Sequence, residues 1–213
     1  MKTEINFKPW VGEKYLSEGF KGKRILVLGE SHYCPKELAE GGRCFPFCKK
    51  ENMGEPCYSQ TIEAVDGFVN GHQQNNTYLW FERAIYGKEL SQDEREDFWN
   101  RIIFYNYVQY ALRAARTRPN NDQWSGSELA FKEMLETYMP DYIIAWGIQS
   151  FNKLPVIDSV VSDLSIGEND KTSVRTYTIN GKKIPTLQVV HPSAPGGNSW
   201  TYWHEFYKKF LGI

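Results

Sequence analysis

Three short stretches of this 213-residue chain carry side chains able to act on a bound molecule. Gly29-Glu30-Ser31-His32-Tyr33 sets a carboxylate, a hydroxyl, an imidazole and a phenol directly behind a glycine. Asn106 ends an apolar run and offers a hydrogen-bond donor and an acceptor on one amide. His191-Pro192-Ser193 adds an imidazole that, neutral or charged, can donate to an oxygen on which negative charge accumulates. A fourth group, Cys34, Cys44, Cys48 and Cys57, is spaced C-x9-C-x3-C-x8-C. These are enough thiolates for one tetrahedral zinc or one iron–sulfur cluster, and His32 or His72 could replace one of them. The group lacks a C-x2-C pair, so reduced cysteines without metal are the other reading.

The elements that must position these residues can be read from the apolar runs. Lys23-Arg24-Ile25-Leu26-Val27-Leu28-Gly29 reads as a strand buried on both faces, as in a parallel sheet. Similar runs are Ile102–Tyr105, Tyr142–Trp146 closed by Gly147, and Thr186–Val190 leading into His191. Between them lie helical signals. Ser91…Glu94 and Ser125…Glu128 match the capping box, the second opening a helix to about Tyr138. Tyr107, Tyr110, Ala111, Ala114 and Ala115, and then Trp200, Trp203, Phe206, Tyr207 and Phe210, keep helical spacing. Asn180-Gly181 after Ser173–Thr178 is the chemistry of a tight hairpin turn, so a small hairpin is expected before the last strand.

Strands alternating with helices predict an α/β fold, a three-layer α/β/α sandwich around a central, mostly parallel, four-stranded sheet. No repeat or linker interrupts it, so residues 1–213 are expected to form one domain. In such sheets ligands bind beyond the carboxyl ends of the strands. That directs attention to the residues immediately after Gly29, Tyr105, Trp146 and Val190.

The order of these motifs, each at a strand end, resembles the uracil-DNA glycosylase superfamily. In that family one strand ends in Gly-Gln-Asp-Pro-Tyr or Gly-Glu-Ala-Pro-Gly, and a later strand ends in His-Pro-Ser. Gly29 and Tyr33 match the first form, Gly29-Glu30 the second, and His191-Pro192-Ser193 the third motif. Gly42-Arg43-Cys44-Phe45 is similar to the segment carrying the ring that stacks on the flipped base, and Trp146-Gly147 to the Trp-Gly of a third strand. The likeness runs from about Lys23 to Phe210.

The resemblance implies hydrolysis of the bond between a base and its sugar, with the base turned out of the stack. Asn106 would read the edge of uracil and reject cytosine, unless it simply caps a helix starting near Tyr107. His191 would stabilise charge on the departing base, unless its place before Pro192 is structural. Phe45 would be the stacking platform. Tyr33 would exclude the methyl of thymine by bulk, or merely pack. Gly29 and Ser193 would complete the base pocket. Two departures stand out. Ser31 occupies the place of the water-orienting Asp of the best-known members, leaving Glu30 as the candidate replacement, although adjacent residues leaving a strand tend to point to opposite sides. After Ser193 the chain continues Ala194-Pro195-Gly196-Gly197-Asn198, where the family often carries a wedging Leu.

Charge and composition limit the partners. A net charge of −1 supplies no global field toward a phosphate backbone, so DNA contacts would have to be local. Arg113, Arg116 and Arg118, with Lys208 and Lys209, are the clearest basic residues, and a solvated helix face explains them equally. Seven Trp, thirteen Tyr and twelve Phe include candidates for base stacking, although core packing accounts for most. Neither a signal peptide nor a membrane span is evident, so a cytoplasmic monomer is expected. Three functions remain open at this point. One is a base-excision hydrolase acting on DNA, single- or double-stranded, with no required cofactor. Another is a degenerate relative that binds a free nucleobase, nucleotide or nucleic acid. The third is a protein-interaction fold.

Overall fold

The structure, a computed structural model, describes residues 3–34, 53, 55–112, 117–194 and 199–213. In chain order the elements are β1 Trp10–Val11, β2 Ile25–Gly29, β3 His32–Tyr33, α1 Glu55–Tyr58, α2 Gln60–Val69, α3 Asn76–Tyr86, α4 Gln92–Trp99, β4 Ile102–Asn106 and β5 Ala111–Leu112. They continue as α5 Asn121–Ser125, α6 Glu128–Tyr138, β6 Tyr142–Trp146, α7 Ile148–Lys153, β7 Ser159–Ile166, β8 Asp170–Ile179, β9 Lys182–Val189 and α8 Trp200–Leu211.

The protein is mixed α/β, with a sheet ordered β1-β4-β2-β6-β9-β8-β7 among the described residues. The four expected strands are its parallel centre, β4-β2-β6-β9. The sheet has seven strands rather than four, because antiparallel strands extend both edges. Their sequences hide them for physical reasons. β1 has only two residues, too few to show a period. β7 is an edge strand in which only Leu164 and Ile166, near its end, pack against the core, so apolar and polar residues do not alternate along its length. The expected hairpin is present, with Asn180 and Gly181 at φ of 50° and 79°, as a type I′ turn requires. Its second arm is β9 itself, which pairs antiparallel with β8 and parallel with β6.

Alternate residues of the central strands face opposite cores. Ile25, Val27, Ile102, Phe104, Ile144 and Trp146 pack against α2, α3, α4 and α8 through residues such as Phe68, Phe81, Trp99 and Phe206. Leu26, Leu28, Ile103, Tyr105, Ile143 and Ala145 pack against Trp124 of α5, Phe131 and Met134 of α6 and Phe151 of α7. Every residue of β2 is buried, and at roughly 1.5–3 kcal/mol for each large aliphatic side chain this strand is a main source of the sheet's stability.

The capping box of Ser91 and Glu94 forms as expected, with Ser91 Oγ accepting from the Glu94 N–H and Glu94 Oε2 accepting from the Ser91 N–H. The expected box from Ser125 to Glu128 does not. Ser127 precedes α6 instead, its hydroxyl donating to the Gln123 carbonyl and accepting from the Gln109 N–H.

The helix expected from Tyr107 to Ala115 is also absent among the described residues; 113–116 lie outside them. The Tyr107 and Val108 N–H groups bond to the carbonyls of Gly29 and Glu30, and Ala111 and Leu112 pair in parallel with His32 and Tyr33. Gln109 replaces the helical hydrogen bonds. Its Oε1 accepts from the N–H groups of Asn6 and Phe7, and its Nε2 donates to the Asn106 carbonyl. The periodic apolar residues are buried by different neighbours, not by one helix face. No helix among the described residues is long and apolar enough to cross a membrane.

Candidate functional site at the carboxyl edge of the parallel strands

Four parallel strands end on one edge, so the segments after Asn106, Gly29, Trp146 and Val189 converge there. Gly29 stands opposite Asn106 in the register. A Cβ at Gly29 would collide with Asn106 Oδ1, so glycine leaves room for the amide oxygen to lie against the end of β2. With no helix at Tyr107, the reading of Asn106 as a helix cap falls away.

Glu30 leaves β2 with its side chain 18% exposed, and its Oε2 accepts a 2.7 Å hydrogen bond from Ser150 Oγ. Ser150 is buried on α7, just after Gly147. Gly147 has a φ of 95°, and a Cβ there would stand 3.0 Å from Ser150 Oγ. The turn that closes β6 thus brings Ser150 back over the strand ends. Arg118 Nη1 lies 3.9 Å from the same Glu30 oxygen, but its side chain is largely exposed, so screening leaves this pair little energy.

His191 comes directly after β9 and Val190, and meets the Trp146 ring edge-on, with centroids 6.1 Å apart. Ser193 closes over its Nδ1, the backbone N–H at 3.2 Å and the hydroxyl at 2.9 Å. Because a backbone N–H can only donate, Nδ1 is the acceptor, and the ring proton of neutral His191 sits on Nε2. Burial lowers the pKa of His191, with the Glu30 charge opposing that fall. At neutral pH the residue is therefore an uncharged hydrogen-bond donor beside a carboxylate.

Ser31 Oγ is buried with no hydrogen-bond partner among the described residues. Next to it, His32 turns inward and Tyr33 outward, in keeping with the alternation of β3. Tyr33 is 40% exposed, while its carbonyl accepts from Gln60 Nε2. His32 is buried, stacked on Phe7 at 3.8 Å and 12° between planes, with Nε2 2.6 Å from Thr61 Oγ1 and 3.2 Å from Asn106 Nδ2. Burial lowers its pKa to about 3, a fall opposed by the Val108 backbone, and its Nδ1 has no hydrogen-bond partner among the described residues.

The strand ends thus bring together Gly29, Glu30, Asn106, His191 and Ser193. Phe45, the expected stacking ring, lies outside the described residues, as do Cys44, Cys48, Arg113 and Arg116. Cys34 and Cys57 share a small apolar cluster with Phe7, Met53 and Ala111. No three His, Cys, Asp or Glu side chains are grouped to hold a metal among the described residues. His72 is exposed, and His32 Nε2 is already engaged. Lys208 pairs with Glu205, and Lys209 donates to the Ser165 carbonyl of β7 at the far edge of the sheet. They do not join Arg118 in a basic patch at the strand ends.

Two contributors escape a reading by sequence, Ser150 and the pair His32–Thr61. The rule of strand ends points to the turn after Trp146, but a single Ser in a six-residue helix carries no chemical signature. Thr61 sits in α2, far along the chain, and nothing in its sequence context connects it to Asn106. No family model matches this chain, and no curated protein matches it.

Proposed function

We propose that this chain is a glycosylase-like hydrolase that cleaves the N-glycosidic bond of uracil or another damaged base in DNA. The observation that carries the reading is the state of His191. Its Nδ1 is occupied by Ser193, so Nε2–H is the ring's donor, without a hydrogen-bond partner among the described residues, and it stands at the same strand edge as an anchored carboxylate and an amide. The two-sided packing of helices on the sheet is read here as the three-layer sandwich of the resembling family.

In this reading Asn106 pairs with an oxygen and the adjacent N–H of the pyrimidine. Water adds to the sugar carbon, the bond to the base nitrogen breaks, and its electron pair leaves with the base. His191 Nε2–H stabilises the charge on the base oxygen. Glu30 takes the role that Ser31 cannot fill, stabilising the cationic sugar and accepting the water's proton. The products are a free base and an abasic sugar. Its carboxylate is suited to this because Ser150 fixes one oxygen and leaves the other to act.

A second reading, binding of a nucleobase or nucleic acid without hydrolysis, is favoured by Ser31, a hydroxyl that bears no charge where hydrolysis calls for a carboxylate. Alkali-revealed strand cleavage of single- and double-stranded oligonucleotides carrying one uracil separates the two. Cleavage by the wild type that is lost in His191→Ala supports the hydrolase. Binding without cleavage supports the second reading.

A further inference from the structure

We propose that His32, held by Thr61 and Phe7, is a positioning residue that locks the Asn106 amide in the one orientation able to accept uracil and refuse cytosine. The inference rests on the reading of the site as a pyrimidine pocket and adds what makes that pocket selective.

An asparagine amide is nearly symmetric in shape, and its two ends differ only in what they bond to. Turned by half a rotation, it would present the pattern complementary to cytosine in place of the pattern complementary to uracil. Selectivity therefore needs something that distinguishes nitrogen from oxygen on the side away from the ligand. His32 Nε2 does so, at 3.2 Å from Asn106 Nδ2. The ring is buried and stacked on Phe7, so it cannot turn away. Thr61 Oγ1 reaches the same nitrogen at 2.6 Å from α2, and Thr61 is itself buried. An amide N–H can only donate, so in this orientation Nε2 presents a lone pair, shared with the Thr61 hydroxyl as a second donor, and the ring proton is on Nδ1. The reversed amide would face that lone pair with its own oxygen, two acceptors in a buried space. In the observed orientation Oδ1 lies against Gly29, where no Cβ competes for the space. The amide hydrogen anti to Oδ1 goes to His32, leaving Oδ1 and the other N–H as a matched pair for the uracil edge.

The test has two arms on the full chain. In the free protein, 15N-histidine NMR at neutral pH should show Nε2 of His32 unprotonated and Nδ1 protonated; a protonated Nε2 would overturn the proposed orientation. Equilibrium binding is then compared for oligonucleotides identical except for one unpaired uracil or cytosine. His32→Phe keeps the stack on Phe7 and removes the acceptor, and should cut the preference for uracil by about tenfold, the scale of one buried hydrogen bond. His32→Gln, whose amide oxygen can accept from Asn106, should recover part of it and serves alone if the Phe variant does not fold. A preference unchanged in His32→Phe, or in the Gln variant equal to that of Asn106→Ala, would overturn the positioning role. Wild-type protein that binds both bases equally would overturn the pyrimidine reading itself, and the NMR arm tells that failure apart because it needs no ligand.

Discussion

Ser150 Oγ donates a 2.7 Å hydrogen bond to Glu30 Oε2, tying the segment behind β2 to the helix behind β6. This contact answers the objection that Glu30, adjacent to Ser31 on a departing strand, need not reach the site. The carboxylate is held over the strand ends by a buried hydroxyl from a neighbouring connection.

If Glu30 does the work that Ser31 cannot, Glu30→Gln should lower uracil excision by about a hundredfold or more, in the range expected for removing a group that handles a proton or charge in the transition state. Ser150→Ala should cost less, about tenfold in kcat with KM little changed, because the carboxylate remains but loses one orienting bond. Single-turnover rates on a uracil oligonucleotide measure both. Equal losses in the two variants, or none in Glu30→Gln, would remove the carboxylate from the mechanism.

His191 should titrate below its ordinary value of 6.5, since burial disfavours the charged ring. Glu30 opposes that fall, so Glu30→Gln should lower the His191 pKa further. An NMR titration of the two proteins checks the sign. A rise in the variant would show that the carboxylate does not face the imidazole. The same arrangement makes His191 a neutral donor throughout the physiological range, so excision should not decline as pH rises through 7.

The parallel centre of the sheet is legible in the sequence because burial on both faces leaves continuous runs such as Ile25–Leu28 and Ile143–Ala145, whose boundaries glycine or asparagine mark. The same runs place Gly29, Asn106 and His191 on one edge. The illegible parts depend on partners distant in sequence. Tyr107–Leu112 has helical spacing, yet Gln109 satisfies its surroundings through side-chain bonds to Asn6, Phe7 and Asn106 that no local pattern encodes. β7 escapes notice because only Leu164 and Ile166 of its eight residues pack against the core, too few to impose a period. His32 reads as a spare metal ligand, because a histidine between Ser31 and Tyr33 gives no sign that Thr61 and Phe7 will enclose it.

Asn106→Asp should weaken binding of a uracil-containing strand by about ten- to hundredfold, since an ionised carboxylate offers only acceptors to an edge that needs a donor as well. Gly29→Ala should do similar damage from the other side by pushing its Cβ into the space of Asn106 Oδ1. Fluorescence anisotropy with a labelled oligonucleotide measures both, and a thermal melt establishes that each variant is folded. Undiminished uracil binding by a folded Asn106→Asp protein would take the amide out of the site.

Acid should unfold this protein partly through His32. Its pKa is about 3 in the folded state against an ordinary 6.5, so between those values the unfolded chain binds the proton that the folded ring refuses. The contribution is therefore intact above pH 6.5 and is lost as pH falls toward 3, at up to about 1.4 kcal/mol per pH unit for this one group. His191 adds to the slope in the same direction, so the wild type alone cannot isolate the effect. The comparison is with His32→Phe, which has nothing to protonate at this position. Urea unfolding at about pH 7.5, 6, 5 and 4.5, a range that spans the descent from the unfolded value, should show the wild type losing stability faster than the variant, with the gap between them shifting toward the variant at each step. Parallel curves would mean that the ring reaches solvent, or takes up a proton, without unfolding the β3 region, and would contradict an enclosed, neutral His32.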